Sequence, residues 1–228
     1  MPETTLNELL ERNARHVESL PGSYFSDVQD AQRPAAVSIC CSDSRVSQTG
    51  MWSVDRPGWL FTPSRIGNVV WDEHDGERVI EGSVHYPITY TETKVTLIVG
   101  HTGCGAITAA LDAVRGGGFD GPAGVGKFIE LLEPVIRDGL ADSRIDGEAG
   151  NLVDMLVEYN VDRQVEFLFE SDEIPADERV FGFVYDLHGT YTDQPGRAYL
   201  VNADGDTDLD RLRDIVDPEW TEHVRRLL

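Results

Sequence analysis

The stretch KVTLIVGHTGCGAITAALDAV, residues 94 to 114, constrains the fold more than any other part of the chain. Its first half is a short β-branched run closed by glycine, which suits a buried strand; its second half is alanine- and leucine-rich, which suits a helix. Only HTGCG separates them. A strand that turns into a helix within a few residues is half of a βαβ crossover, and such units build parallel sheets covered by helices.

The rest of the chain alternates in the same way. TTLNELLERNARHVESL puts Leu6, Leu9, Leu10, Ala14 and Val17 on one helical stripe, with Thr5 and Glu8 spaced as a capping box. AAVSIC and GWLFTPS read as short strands, the second followed by a turn at Gly67 and Asn68. Residues 77–90 have helical spacing, with Pro87 expected to end or kink the helix. GGGFDGPAGVG reads as a flexible connection without the lysine-serine or lysine-threonine pair of a phosphate loop. KFIELLEPVI and NLVDMLVEYNVDRQVEFLF read as helices, ERVFGFVYDL and GRAYLVN as strands, and residues 205–228 as a closing helix with acids early and Arg225 and Arg226 late. The fold class is α/β, a largely parallel sheet flanked by helices. At 228 residues a single domain is expected, with an N-terminal helical arm over 1–34, a core over 35–204 and the C-terminal helix.

Composition limits the partners. Acidic residues outnumber basic ones 41 to 19, and Lys94 and Lys127 are the only lysines. Such a surface repels phosphates, so nucleic acid is an unsuitable partner. The acids are interspersed with apolar residues, which argues for a folded surface adapted to a very salty cytosol, where screening suppresses self-repulsion. No apolar run approaches the ~20 residues of a membrane span, and MPETTLNELL has no basic segment followed by an apolar core. A cytoplasmic, membrane-free protein with three reduced thiols, Cys40, Cys41 and Cys104, is the expectation.

In a parallel sheet, ligands gather beyond the carboxyl ends of the strands. Two predicted strands end there in metal-capable residues: AAVSIC runs into Cys41, and KVTLIVG runs into His101 with Cys104 three residues on. Neighbouring strand residues point to opposite faces, so Cys40 and Cys41 diverge and one of them serves the site. Two thiolates and one imidazole suit tetrahedral zinc with the fourth position left to water. The glycines let the turn place both His101 and Cys104 on one metal, and Cys104 lies at a helix N-terminus, where the dipole favours a thiolate.

CSDSRV, followed about sixty residues later by VGHTGCGAI, resembles the paired signature of the β-class carbonic anhydrases, and SRIGNVV, NVDRQVEFL and VFGFVYDLHGT extend the likeness over about residues 35 to 200. The resemblance implies that Cys41, His101 and Cys104 bind one Zn²⁺ per chain and that Asp43 and Arg45 form a catalytic dyad. It implies reversible hydration of CO₂ to bicarbonate by zinc-bound hydroxide, in a homodimer whose N-terminal helix crosses its partner, or in a dimer of dimers. In some relatives the aspartate itself takes the fourth metal position, which would release Arg45. A second bicarbonate pocket in some of those relatives uses a tryptophan where this chain has Ser38, although Arg65 falls where that pocket has its arginine.

The chain also departs from the family pattern. VSQTGMW replaces an alanine-proline or proline-alanine step, and SRIGN places Ile66 where a polar residue is usual. Relatives on the same scaffold hydrolyse carbonyl sulfide or carbon disulfide, so those substrates are the alternatives, together with a zinc protein lacking turnover. His85 and His188, with no cysteine or acidic partner at ligand spacing, and His74 in its acidic loop read as structural or exposed.

Overall fold

The computed structural model describes residues 2–228. Its central sheet has the order β2-β1-β6-β7-β8, with β3 also paired to β1. The first four positions are parallel: β1 (Ala36–Cys41) lies against β2 (Leu60–Phe61) and β6 (Val95–His101), and β6 lies against β7 (Arg179–Asp186). β8 (Arg197–Ala203) closes the far edge antiparallel to β7. The predicted strand GWLFTPS is split. Pro63 has no N–H to give the ladder, so pairing to β1 stops after Phe61 and resumes at β3 (Ser64–Arg65), while the Pro63 carbonyl accepts from the Cys40 N–H at 3.2 Å.

Residues 77–90 do not form one helix. Glu77–Ile80 is β5, paired antiparallel with β4 (Trp71–His74) across Asp75 and Gly76, both at positive φ. An Asp-Gly pair between two such runs is a hairpin signal that helical spacing masked. The helix here, α3 (Gly82–Tyr90), begins after Glu81, whose carboxylate accepts from the Ser83 N–H, and it keeps Pro87 inside. Two helices lie elsewhere in this half: the long α1 (Pro2–Ser19) and the single-turn α2 (Gln48–Met51). α1 starts at Pro2, so Thr5 lies within the helix rather than capping it; proline is well suited to a first helical turn because its missing N–H would be unpaired there anyway.

α4 (Gly105–Gly116) follows β6 directly, and α5 (Ala123–Ala141) takes in four residues of the predicted linker because its apolar face packs against α4 and α6. α6 (Leu152–Phe169) lies on β6 and β7. It comes close because Gly100 in β6 has no side chain: a Cβ there would stand 2.8 Å from both Val157 and Val161. Instead of the one apolar side expected, α6 is buried nearly all round, Glu158, Asn160 and Gln164 included. Asn160 Nδ2 donates to the Gly67 carbonyl at 3.2 Å and Gln164 Oε1 accepts from the Val70 N–H at 2.9 Å, so the helix holds the segment after β3 by its own polar groups.

The predicted C-terminal helix is broken. α7 covers only Leu209–Asp214, and a 3₁₀ turn follows at Pro218–His223. Pro218 forces Asp217 into extended backbone, φ −61° and ψ 147°, which ends the α-helical path. The chain then passes Leu200 in parallel at Val224 and runs into the core as an irregular tail.

Candidate metal centre

The parallel register aligns the ends of β1 and β6, so Cys41 and His101 leave the sheet side by side. Cys40 and Cys41 diverge as strand geometry demands: the Cys40 sulfur lies 3.7 Å from Ser38 Oγ, and the Cys41 sulfur lies 3.7 Å from that of Cys104. His101 Nε2, Cys41 Sγ and Cys104 Sγ all lie within 4.8 Å of one another, and all three residues are buried. The turn between His101 and Cys104 needs Gly103, at φ +63°, and leaves Cys104 as the cap of α4.

These three groups fit a tetrahedral metal. Bonds of about 2.3 Å, the zinc–thiolate length, set the sulfur–sulfur edge of a tetrahedron at about 3.8 Å, and the observed separation is 3.7 Å. His101 Nδ1 is 3.0 Å from the Thr102 carbonyl, which fixes that nitrogen as the donor, while the buried Nε2 has no hydrogen-bond partner. A buried acceptor left free beside two sulfurs is a ligand atom in waiting.

Electrostatics favour the same use. The Cys104 thiol is drawn down to about 4, chiefly by the hydrogen bond it accepts from Cys41; burial opposes this, while His101 and the Ile107 N–H in the first turn of α4 assist. That same hydrogen bond pushes Cys41 up, with burial and the Cys104 charge adding to it. The metal-free pair therefore keeps one proton, which a cation must displace. Burial by itself would lower His101, but the neighbouring Cys104 thiolate, the Thr102 carbonyl and the Asp43 charge together outweigh burial and raise it.

Beside these groups, Asp43 and Arg45 make a two-toothed pair: Arg45 Nε donates to Oδ1 at 2.9 Å and Nη2 to Oδ2 at 2.7 Å, and the Arg45 N–H adds a third bond to Oδ1 at 2.9 Å. Arg45's hydrogen bonds hold the Asp43 carboxyl well below the usual carboxylate range, against a smaller opposing effect of burial. Asp43 Oδ2 is 3.6 Å from His101 Nε2. All five residues singled out in the sequence thus meet in one place.

Sequence reasoning missed the residues that brace this turn. The Gly103 N–H donates to Asp154 Oδ1 at 2.7 Å, and Thr102 Oγ1 contacts both Asp186 Oδ1 (3.3 Å) and His188 Nδ1 (3.0 Å). His188 is exposed, yet its ring covers Gly103 so closely that a Cβ there would come within 2.4 Å of Cε1. Asp154 and Asp186 lie 50 and 82 residues beyond Cys104, at no ligand spacing, so no local signal marks them. His74 pairs with Asp75 on the surface and His85 with Glu173, each at 3.6 Å and away from the site.

Among the described residues no helix is long and apolar enough to cross a membrane. A family model described as carbonic anhydrase matches residues 36–193. Similar sequences include carbonic anhydrase 2 of Mycobacterium tuberculosis, 30% identical over 155 residues that span 64% of this chain and 70% of that protein. The carbonic anhydrase of Mycolicibacterium smegmatis is 29% identical over 145 residues, 60% of this chain and 66% of that one. The fold matches a tetrameric β-carbonic anhydrase of the ascomycete Sordaria macrospora with a TM-score of 0.71 at 21% identity, over 88% of this chain and 98% of that one. It matches the Coccomyxa β-carbonic anhydrase, solved with acetazolamide, at 0.69 and 24% identity, over 96% and 94%. With a family match over more than half its length and the sheet, turn and residue cluster described above, the chain belongs to the β-class carbonic anhydrases, a family of enzymes.

Proposed function

We propose that this protein catalyses reversible hydration of CO₂, with Cys41, His101 and Cys104 holding one zinc per chain and Asp43 and Arg45 serving the reaction. The observation that carries the reading is the unpartnered Nε2 of His101, facing two sulfurs and standing 3.6 Å from a carboxylate oxygen of Asp43. Bound there, zinc supplies Lewis acidity that makes water a nucleophile near neutral pH. Asp43 orients that water. Held ionised by Arg45, it accepts hydrogen bonds only, so it would accept one from that water and hold the oxygen in place for attack on CO₂. So acidic a carboxyl does not retain a proton near pH 7, and the proton passes on to buffer.

Metal analysis is expected to give about one zinc per chain. Asp43→Asn should keep that zinc, because Asp43 is not among the three ligands, and lose hydration in stopped flow. A fully active variant overturns the role given to Asp43. Hydrolysis of carbonyl sulfide in preference to CO₂ hydration, in the same preparation, would assign the site to the sulfur analogue instead.

Three further readings accompany this one. The chain acts as one domain, with the arm and tail serving the core. The arm packs on a second copy: Leu6, Leu9, Leu10 and Val17 are each more than half exposed on α1, which has no buried residue. The formal charge of −22 suits a cytosol rich in salt. Equal stability in dilute buffer and in multimolar potassium chloride would overturn that last reading.

A further inference from the structure

We propose that Asp154 is a positioning residue for the Asp43–Arg45 pair, acting through Gly103; this rests on the function proposed above. Arg45 is half exposed, and its two-toothed bonds tie it to Asp43 without tying the pair as a unit to the rest of the site. A second anchor removes that freedom. Arg45 Nη2 also donates to the Gly103 carbonyl, at 3.3 Å, near the outer limit of a useful hydrogen bond. A small displacement of that carbonyl releases the guanidinium.

Gly103 has no side chain to hold it, and its left-handed conformation is one that ordinary residues seldom adopt, so its position depends on its peptide partners. Asp154 supplies one. It stands in the first turn of α6, its Oδ1 accepting from the Gly103 N–H at 2.7 Å and its Oδ2 from Thr190 Oγ1 at 2.8 Å. Both oxygens are committed, so the carboxylate has one orientation. α6 is itself seated against β6 by the close approach at Gly100, which makes it a rigid support. The order Asp154, Gly103, Arg45, Asp43 therefore runs from the packed core to the carboxylate beside His101, each member hydrogen-bonded to the next.

The test compares Asp154→Ala with Asp154→Asn in the full-length, zinc-loaded protein. Asparagine keeps an oxygen for the Gly103 N–H, and its amide can donate to a turned Thr190 hydroxyl, so the Asn variant should stay within about threefold of the parent. Alanine should lower kcat by about 10- to 100-fold, the effect of a misplaced orienting group, with KM within a few-fold and zinc content unchanged. In cobalt-substituted protein, the visible bands should change for Ala and not for Asn, because the surroundings of the metal's open position shift with Asp43. Thr190→Val, which frees only Oδ2, should give a few-fold loss in kcat and decides the matter if the alanine variant does not fold. Parental kcat and bands in Asp154→Ala, equal impairment of Ala and Asn, or parental kcat in Thr190→Val overturns the proposal. A parent without hydration activity overturns the proposed function, and the cobalt spectra then decide alone.

Discussion

The two ends of the chain invert the usual relation between regularity and burial. α1 is eighteen residues of regular helix with no buried side chain, and three of its leucines are more than half in water. The tail from Val224 to Leu228 has no regular structure, yet it carries a charge into the core: the Arg226 side chain is 3% exposed, 3.2 Å from Glu158 and 2.6 Å from Asp162. Glu158, completely buried, also accepts from Tyr191 Oη at 2.6 Å and from the Leu227 N–H at 2.8 Å. An isolated helix of this length is marginal in water, so α1 lacks within its own chain the burial that would hold it, and the second copy proposed above would supply it, whereas the tail owes its order to side chains that would be stranded without it.

The largest effect should come from breaking the tail. Arg226→Ala leaves Glu158 and Asp162 without their cation inside the fold and should destabilise the protein by about 3–5 kcal/mol in chemical denaturation. A loss below 1 kcal/mol would show that the tail is not anchored by charge.

Glu178 sharpens the point, because it is buried without a cation in contact. Thr96 Oγ1 donates to its Oε1 at 2.7 Å and its Oε2 has no partner. Burial raises it from 4.5 to about 7, partly offset by Thr96 and Lys94. Below pH 4.5 both folded and unfolded states hold the proton; between 4.5 and 7 only the folded state does, so its contribution to stability falls as pH rises through that window and stays lost above it. The loss is on the order of 3 kcal/mol. Glu178→Gln should therefore stabilise the protein at pH 8 by about that amount and have little effect at pH 4, as read from denaturation midpoints at the two pH values.

At the other end, the apolar stripe predicts association rather than stability. Leu9→Ser should weaken self-association by tenfold or more, since burying a leucine is worth about 1.5–3 kcal/mol, and should leave the dissociated chain's unfolding midpoint nearly unchanged. Sedimentation across protein concentrations measures the first and denaturation the second. The smallest effect belongs to the polar face of the same helix: Arg12→Gln removes the exposed pair with Glu8 and should change stability by less than about 0.5 kcal/mol, with no dependence on salt left at that position.

Local chemistry made much of the core legible. A short apolar run after a proline announced β1, a β-branched run closed by glycine announced β6, and HTGCG announced a turn able to aim two ligands at one point. Strand alternation alone separated Cys40 from Cys41. Reading failed where a second pattern lay beneath the first: the Asp75–Gly76 hairpin under a helical spacing, and Pro218 inside an otherwise helical charge pattern. It failed again on α6, whose polar residues suggested a solvent face although their partners, Gly67, Val70 and Arg226, lie far away in sequence.

What the sequence by itself determined is the set of short-range features: the strand–turn–helix unit, the spacing of His101 and Cys104, and the Asp43–Arg45 pair two residues apart. Each depends on backbone geometry over a few residues, which composition and spacing control directly. Only the tertiary structure decided that the Cys41 sulfur comes within 3.7 Å of that of Cys104, that His101 is left with a free buried nitrogen, and that Asp154 bonds to the turn. Those facts depend on parallel register and on how closely α6 approaches the sheet, and both are set by packing between segments that carry no mark of one another in the linear chain.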